Sequence, residues 1–276
     1  MKALRPGWPP GDVAATSAHT SVWKGNDQVP YTRRISVTDA VDTGYPSYQA
    51  VFVASPESVT VLAGFLGDGG HPPLHIHDVD LFYVVLEGSA TVRLGHGHHQ
   101  AKAGEVIYIP AGYPHGSDNQ SGAAEHHLEI LTPGVGPGKP FLKPVGSADE
   151  VQLPAAAPYV RSGSGPATET TGRETRWVLT DEPTGARTAR LTAVERTGPE
   201  NPGTPASRDN DRLVVVTEGE LTAEIAAQQT AVPAPAVIVI PAGLPHRIWN
   251  SSPALVRYLD ADVPTPDVYA KLAPAQ

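Results

Sequence analysis

The chain has no cysteine among its 276 residues, which removes disulfides, thiolate metal ligands and thiol catalysis at once. It has no basic run, and its formal charge is -9 at pH 7. Nucleic acid and anionic membranes both demand clustered Lys and Arg, so neither is an expected partner. No apolar run approaches the roughly 18 residues that a spanning helix needs. The opening stretch, MKALRPGWPPGDVAATSAHTS, lacks an uninterrupted apolar core and is broken by Pro6, Pro9 and Pro10. A cytoplasmic location is the expectation that follows. Long helices are missing too, because 27 Gly and 29 Pro punctuate the chain too often for them.

What the sequence does have is a series of short, β-branched apolar segments: YQAVFVA, SVTVLAGFL, LFYVVLEG, SATVRLG, EVIYIPAG and HLEILTPG. Each is of strand length and ends at Gly or Pro, the pattern of an all-β sandwich or barrel. The best helix candidate is the short TPDVYAKLA near the end, with Pro266 in its first turn.

An internal repeat sets the domain organisation. VIYIPAGYPHGSDN (106–119) returns as VIVIPAGLPHRIWN (237–250), an offset of 131 residues from His115 to His246. VVLEG before and including Gly88 returns as VVTEG, ending on Gly219, at the same offset. Two unrelated segments would not keep register through the hairpin between the two marks. The chain therefore reads as a tandem duplication of one β-domain of about a hundred residues. The expected organisation is an N-terminal extension packing on the barrels (1–46), a first domain with a metal site (47–146), a Pro/Gly/Ala-rich linker (147–172) and a second, metal-free domain (173–276). Trp8, Trp23 and Tyr31 argue that the extension packs rather than trails.

The residues resemble the cupin superfamily in its two-domain form. The first motif of that family runs Gly, five residues, His-x-His, three or four residues, Glu, six residues, Gly; Gly69, His75, His77 and Gly88 stand at those places. The second runs Gly, five residues, Pro-x-Gly, two residues, His, three residues, Asn; Gly104, Pro110, Gly112, His115 and Asn119 fill it completely. The EILTPGVGPGKPFL that follows is similar to quercetinase-like members. The resemblance implies an all-β fold of two tandem jelly-roll (double-stranded β-helix) barrels with few short helices. It also implies one divalent transition metal per chain.

Strand geometry supports the same site. His75 and His77 are two apart on a strand, so both imidazoles face one way, and inside a small barrel that face is sheltered. His115, after a Pro-x-Gly turn, brings a third nitrogen. Three neutral imidazoles suit Fe, Zn, Ni, Cu or Mn with positions left open for substrate or oxygen. Ordinary core histidines are the plain alternative.

The ligand Glu of the family is absent. Both spacings place it at Leu81, whose parity matches the histidines, whereas Asp80 has the opposite parity and is expected to face out unless a bulge re-aims it. In this the chain resembles the three-His subset, which includes gentisate and β-diketone dioxygenases. Shifting by 131 sets Ala206, Arg208 and Arg212 opposite His75, His77 and Leu81, and only His246 survives. Arginine has no lone pair to give a metal, so the second barrel is expected to be metal-free. Arg208, Arg212 and His246 are candidates for an anion pocket.

In EHHLEIL, His127 and Glu129 share one strand face and are the acid/base candidates. Leu81, Tyr83 and Tyr108 are candidates for lining a substrate pocket, with core packing as the default for the two tyrosines. His96, His98 and His99 of GHGHHQ fall in a hairpin loop. The expected function is a metal-dependent dioxygenase acting on a small oxygenated aromatic, diketone or polyketide-like molecule. The alternatives are a non-oxidative isomerase, cyclase or lyase and a non-catalytic small-molecule-binding protein. Expected partners are a small-molecule substrate, with O2 as co-substrate, and a homodimer is allowed for.

Overall fold

The computed structural model describes residues 31–54, 57–135, 140–163, 165–180 and 189–265. Trp8, Trp23 and the helix expected around Pro266 lie outside the described residues. Among those residues the fold is all-β, with two 3-10 turns, Val37–Asp39 and Ala148–Glu150, as the helical elements.

Two barrels follow one another, each made of a large and a small antiparallel sheet. In the first, a seven-stranded sheet runs in the order Tyr159–Ser162, Glu105–Ile109, Asp80–Glu87, Glu125–Thr132, Thr60–Leu66, Tyr48–Ala54, Val41–Asp42. A five-stranded sheet faces it: Lys143–Pro144, His75–Ile76, His115–Asp118, Ser89–Leu94, Gly97–Lys102. In the second barrel the large sheet carries Ala236–Ile240, Asp211–Glu218, Leu255–Val263 and Arg190–Thr197 at its centre. Its small sheet has three strands, Gln228–Pro233, Glu220–Ile225 and His246–Trp249.

Arms cross between the barrels. Thr32–Arg34, from the N-terminal extension, adds an edge strand to the second barrel against Ala236–Ile240. Tyr159–Ser162, from the linker, adds an edge strand to the first barrel against Glu105–Ile109. Each arm satisfies a row of backbone groups that an open sheet edge would leave bare. The large sheet of the second barrel also reaches back to Glu169–Thr171, within the span read as linker.

Period-two alternation sorts the side chains into two cores. In the first barrel Phe82, Val84, Val106, Tyr108, Leu128 and Ile130 point outward. There they meet Leu213, Val215, Val237, Val239, Leu259 and Ala261 of the second, so the large sheets pack back to back. The residues between them, Leu81, Tyr83, Val85, Ile107, Ile109 and Leu131, turn into the first barrel. Val214, Val216, Ile238, Ile240 and Tyr258 do the same in the second. Because 131 is odd, even positions in one copy correspond to odd positions in the other, and the same faces are buried in both. The repeat extends to the turns. Gly88 and Gly219 both sit at φ 75, and a Cβ on either would run into the backbone carbonyl of Ala124 or Leu255.

Candidate metal centre

His75 lies on the two-residue strand His75–Ile76, which is clamped on both sides. His115 is its direct partner across one edge, and Pro144 of the strand Lys143–Pro144 across the other. His77 follows one residue beyond that strand. The rings of His75 and His115 are 4.4 Å apart at their centroids, and each is 5.0 Å from that of His77. All three side chains are buried, and one ligand nitrogen from each lies within 4.8 Å of the others. Among the described residues no other group of three His, Asp or Glu converges in this way.

Each ring is oriented by a backbone carbonyl. The Nδ1 of His75 stands 2.9 Å from the oxygen of Pro73, that of His77 2.7 Å from Phe141, and that of His115 2.9 Å from Tyr113. A carbonyl only accepts, so the proton resides on Nδ1 and the lone pair on Nε2 in all three. Those three Nε2 atoms are buried and have no hydrogen-bond partner. Burial outweighs the carbonyls and pulls His75 down to about 4 and His77 to about 3, and holds His115 well below its usual range. Three convergent, neutral, unpaired imidazole nitrogens are costly to bury without a partner, and a divalent transition metal is the partner that their chemistry fits.

The acid/base candidates lie beside this trio. Glu129 faces inward from Glu125–Thr132, with Oε2 3.7 Å from His77 Nε2 and without a hydrogen-bond partner. Burial raises its carboxyl to about 7, against the opposing pull of His127. Its Oε1 is 3.8 Å from His127 Nε2. On the other side of that ring, Nδ1 is 2.7 Å from Glu125 Oε2, and Tyr83 donates to Glu125 Oε1 at 3.2 Å. The Tyr83 ring stacks on His127 at 4.3 Å, and the Tyr48 hydroxyl reaches its Nε2 at 3.4 Å. Burial disfavours the imidazolium, but the Glu125 carboxylate overrides it, so the His127 pKa is raised. Gly64, the cross-strand partner of His127, leaves the space that this ring fills.

The remaining sequence candidates are dispersed. Leu81 is fully buried in the apolar interior with Leu131 and Ile109. Tyr83 also faces inward, but its hydroxyl is engaged by Glu125. Tyr108 does not line the interior. Alternation turns it to the opposite face, where it stacks on Tyr159 at 4.9 Å and packs against Phe82 between the barrels. Asp80 stays outside the trio, accepting from the backbone N–H of Ala111 at 3.0 Å. Asp211 does the same with Ala242 at 2.7 Å, so this acid serves the same turn in both copies. His99 pairs with Glu105 at 2.9 Å, and His96 lies 3.8 Å from Asp149, both in the hairpin region away from the trio. A surface groove of about 600 Å³ is walled by Tyr45, Tyr48, Phe65 and His126, and none of the three metal-facing histidines borders it.

In the second barrel Arg208, Arg212 and His246 gather around Asp260. Arg212 grips both oxygens of Asp260 at 2.8 Å, and Arg208 lies 3.9 Å away. An anion entering there would have to compete with that carboxylate. Sequence reasoning missed Asp260, Glu125 and Phe141. Glu125 continues the parity of His127 and Glu129 and was readable on that ground. Phe141 carries no local signal, because it arrives from the arm and places its ring 5.0 Å from His77.

Residues 65–130, which hold both histidine motifs, match the family model described as Cupin domain. A search of curated proteins finds no match. Among solved structures, the putative glyoxylate-induced protein of Pseudomonas aeruginosa superposes with a TM-score of 0.62 at 17% identity, covering 82% of this chain and 83% of that one. Vicilin of hazelnut, Corylus avellana, gives 0.63 at 15% identity, over 85% and 86%. Oxalate decarboxylase of Bacillus subtilis, which has Mn(II) centres, gives 0.63 at 13% identity, over 85% and 77%. At these identities the likeness is one of fold.

Proposed function

We propose that the first barrel, whose residues 65–130 match the cupin domain model, is a metal-dependent dioxygenase for a small oxygenated aromatic, diketone or polyketide-like molecule. The observation that carries this reading is the set of three buried, unpaired Nε2 atoms on His75, His77 and His115. A divalent Fe, Mn, Ni, Cu or Zn ion held there would supply positive charge to an enolate or phenolate oxygen and, for the redox-active metals, electron exchange with O2.

The rest falls to the side chains of the barrel. Glu125 accepts from Nδ1 of His127 and fixes that ring with its Nε2 lone pair turned toward Glu129. The His127–Glu129 pair thereby stands ready to take a proton from an enol or phenol and to return it. Leu81, Ile109 and Leu131 make an apolar wall that excludes water, so charge interactions in the site act at low dielectric. Phe141 packs its ring edge-on against that of His77.

The same proton apparatus favours a second reading, a non-oxidative isomerase, cyclase or lyase that needs no O2. Oxygen uptake with a panel of β-diketones, flavonols and catechols separates the two. Consumption of O2 that disappears in His75→Ala supports the dioxygenase. Product formed under anaerobic conditions by the same residues supports the second reading. Ligand binding without turnover would leave a binding protein.

A further inference from the structure

The two barrels place a carboxylate at the same inward position and treat it differently. Asp260 stands 131 residues after Glu129, on the corresponding strand. Its charge is met by Arg212, which occupies the position equivalent to Leu81. In the first barrel that position is apolar, and Glu129 keeps a buried oxygen without a hydrogen-bond partner. The nearest imidazolium candidate, His127, is already bound to Glu125 at 2.7 Å. His127 Nε2 lies 3.8 Å from the other oxygen of Glu129, beyond hydrogen-bond reach, and a buried carboxylate oxygen without a hydrogen bond is costly for a core to hold. The unpaired oxygen of Glu129 lies 3.7 Å from Nε2 of His77, itself an unpaired member of the metal-facing trio.

From this geometry we infer that Glu129 is the anionic ligand of the centre, supplied from Glu125–Thr132 in place of the carboxylate that Leu81 lacks. The inference rests on the three-His reading above and completes it as a three-His, one-carboxylate set. Two donors bound to one ion at about 2.1 Å stand about 3 Å apart when adjacent and about 4 Å apart when opposite. The 3.7 Å between Glu129 Oε2 and His77 Nε2 lies within that span; the carboxylate is not within the 4.8 Å that links the three nitrogens to one another, so its side chain swings toward His75 and His115 to complete the set. Leu81 cannot approach a cation, and Asp80 is spent on the Ala111 turn. The two acid/base candidates then divide their roles. Glu129 neutralises the ion, while His127, oriented by Glu125 and stacked on Tyr83, handles the proton. The second barrel satisfies the same carboxylate with an internal guanidinium.

Co2+ is the probe, because its visible absorption reports the donor set as well as the affinity. In wild type, Co2+ binds and shows a ligand-field spectrum. Glu129→Gln keeps the shape and removes the charge; its affinity is expected to fall by about 10- to 100-fold or more, with a changed spectrum. Leu81→Arg, which copies the cation of the second barrel, is expected to pair with Glu129 and abolish Co2+ binding. It asks the same question should the Gln variant fail to fold. Glu129→Gln with unchanged affinity overturns the inference, and so does weaker binding with an unchanged spectrum, since Glu129 would then act from beside the ion. Leu81→Arg that still binds Co2+ as wild type does overturns it as well. Wild type that takes up no Co2+ overturns the three-His reading itself, a different result from any of these.

Discussion

The residue that decides the chemistry of each barrel is the one three places before the Val-Val of VVLEG or VVTEG on its central strand. Leu81 in the first copy leaves Glu129 without an internal cation, and Arg212 in the second ties Asp260 down. Glu in place of Leu81, where cupins carry their acid, is therefore expected to rescue metal affinity in a Leu81→Glu, Glu129→Gln double variant; isothermal titration with Mn2+ measures it, and a double variant as weak as the single one goes against it. In the second barrel, Arg212→Ala strands a buried carboxylate and is expected to cost about 3–5 kcal/mol, read from urea unfolding. Burial pushes Asp260 up, but the Arg212 hydrogen bonds and charge outweigh it and hold its pKa below the usual carboxylate value. Its folded pKa is thus below its unfolded one, so its contribution is present above the unfolded value and is lost as pH falls through the folded value. Stability should decline below about pH 4, and the decline should be shallower in Arg212→Ala. A slope identical in both proteins would contradict the assignment.

At the scale of the strand, parity made much of the site legible in the sequence. His75, His77 and His115 could be set inside the barrel from their spacing and from the Pro-x-Gly turn, and the structure brings them together. The opposite parity of Asp80 held: it stays outside the trio and accepts from the backbone N–H of Ala111. Tyr108 is a core residue, the default given to it, but its face was not readable: Ile107 and Ile109 are the inward residues of its strand, and only pairing across sheets reveals this. Phe141 and Pro144 were out of reach for a different reason. They act through tertiary contact from a connecting arm with no periodicity of its own, pinning His77 and His75 from outside the motifs. Gly64 was equally silent, although its missing side chain makes room for His127. Gly64→Val is expected to displace that ring and abolish turnover with little effect on Co2+ binding. A loss of both would instead place His127 among the metal ligands.

For the whole molecule, the 131-residue repeat predicted two barrels but not how they meet. The back-to-back core mixes Phe82, Tyr108 and Leu128 with Val215, Val239 and Leu259, and each barrel borrows an edge strand from an arm. Neither large sheet has a solvated outer face to fall back on, so the two barrels should unfold together. Phe82→Ala, at a site with 0% exposure, is expected to cost about 3–5 kcal/mol and to lower one common transition in calorimetry. Two separated transitions, with the second barrel unmoved, would show that the shared core does not couple them.

The metal content of the purified chain, measured by mass spectrometry for wild type and for His115→Ala, is the most direct test. One divalent transition metal per wild-type chain is expected, and its loss from the variant, together with the loss of any turnover. A wild-type chain that stays metal-free after reconstitution, or a variant that keeps the full complement, would contradict the three-histidine metal centre.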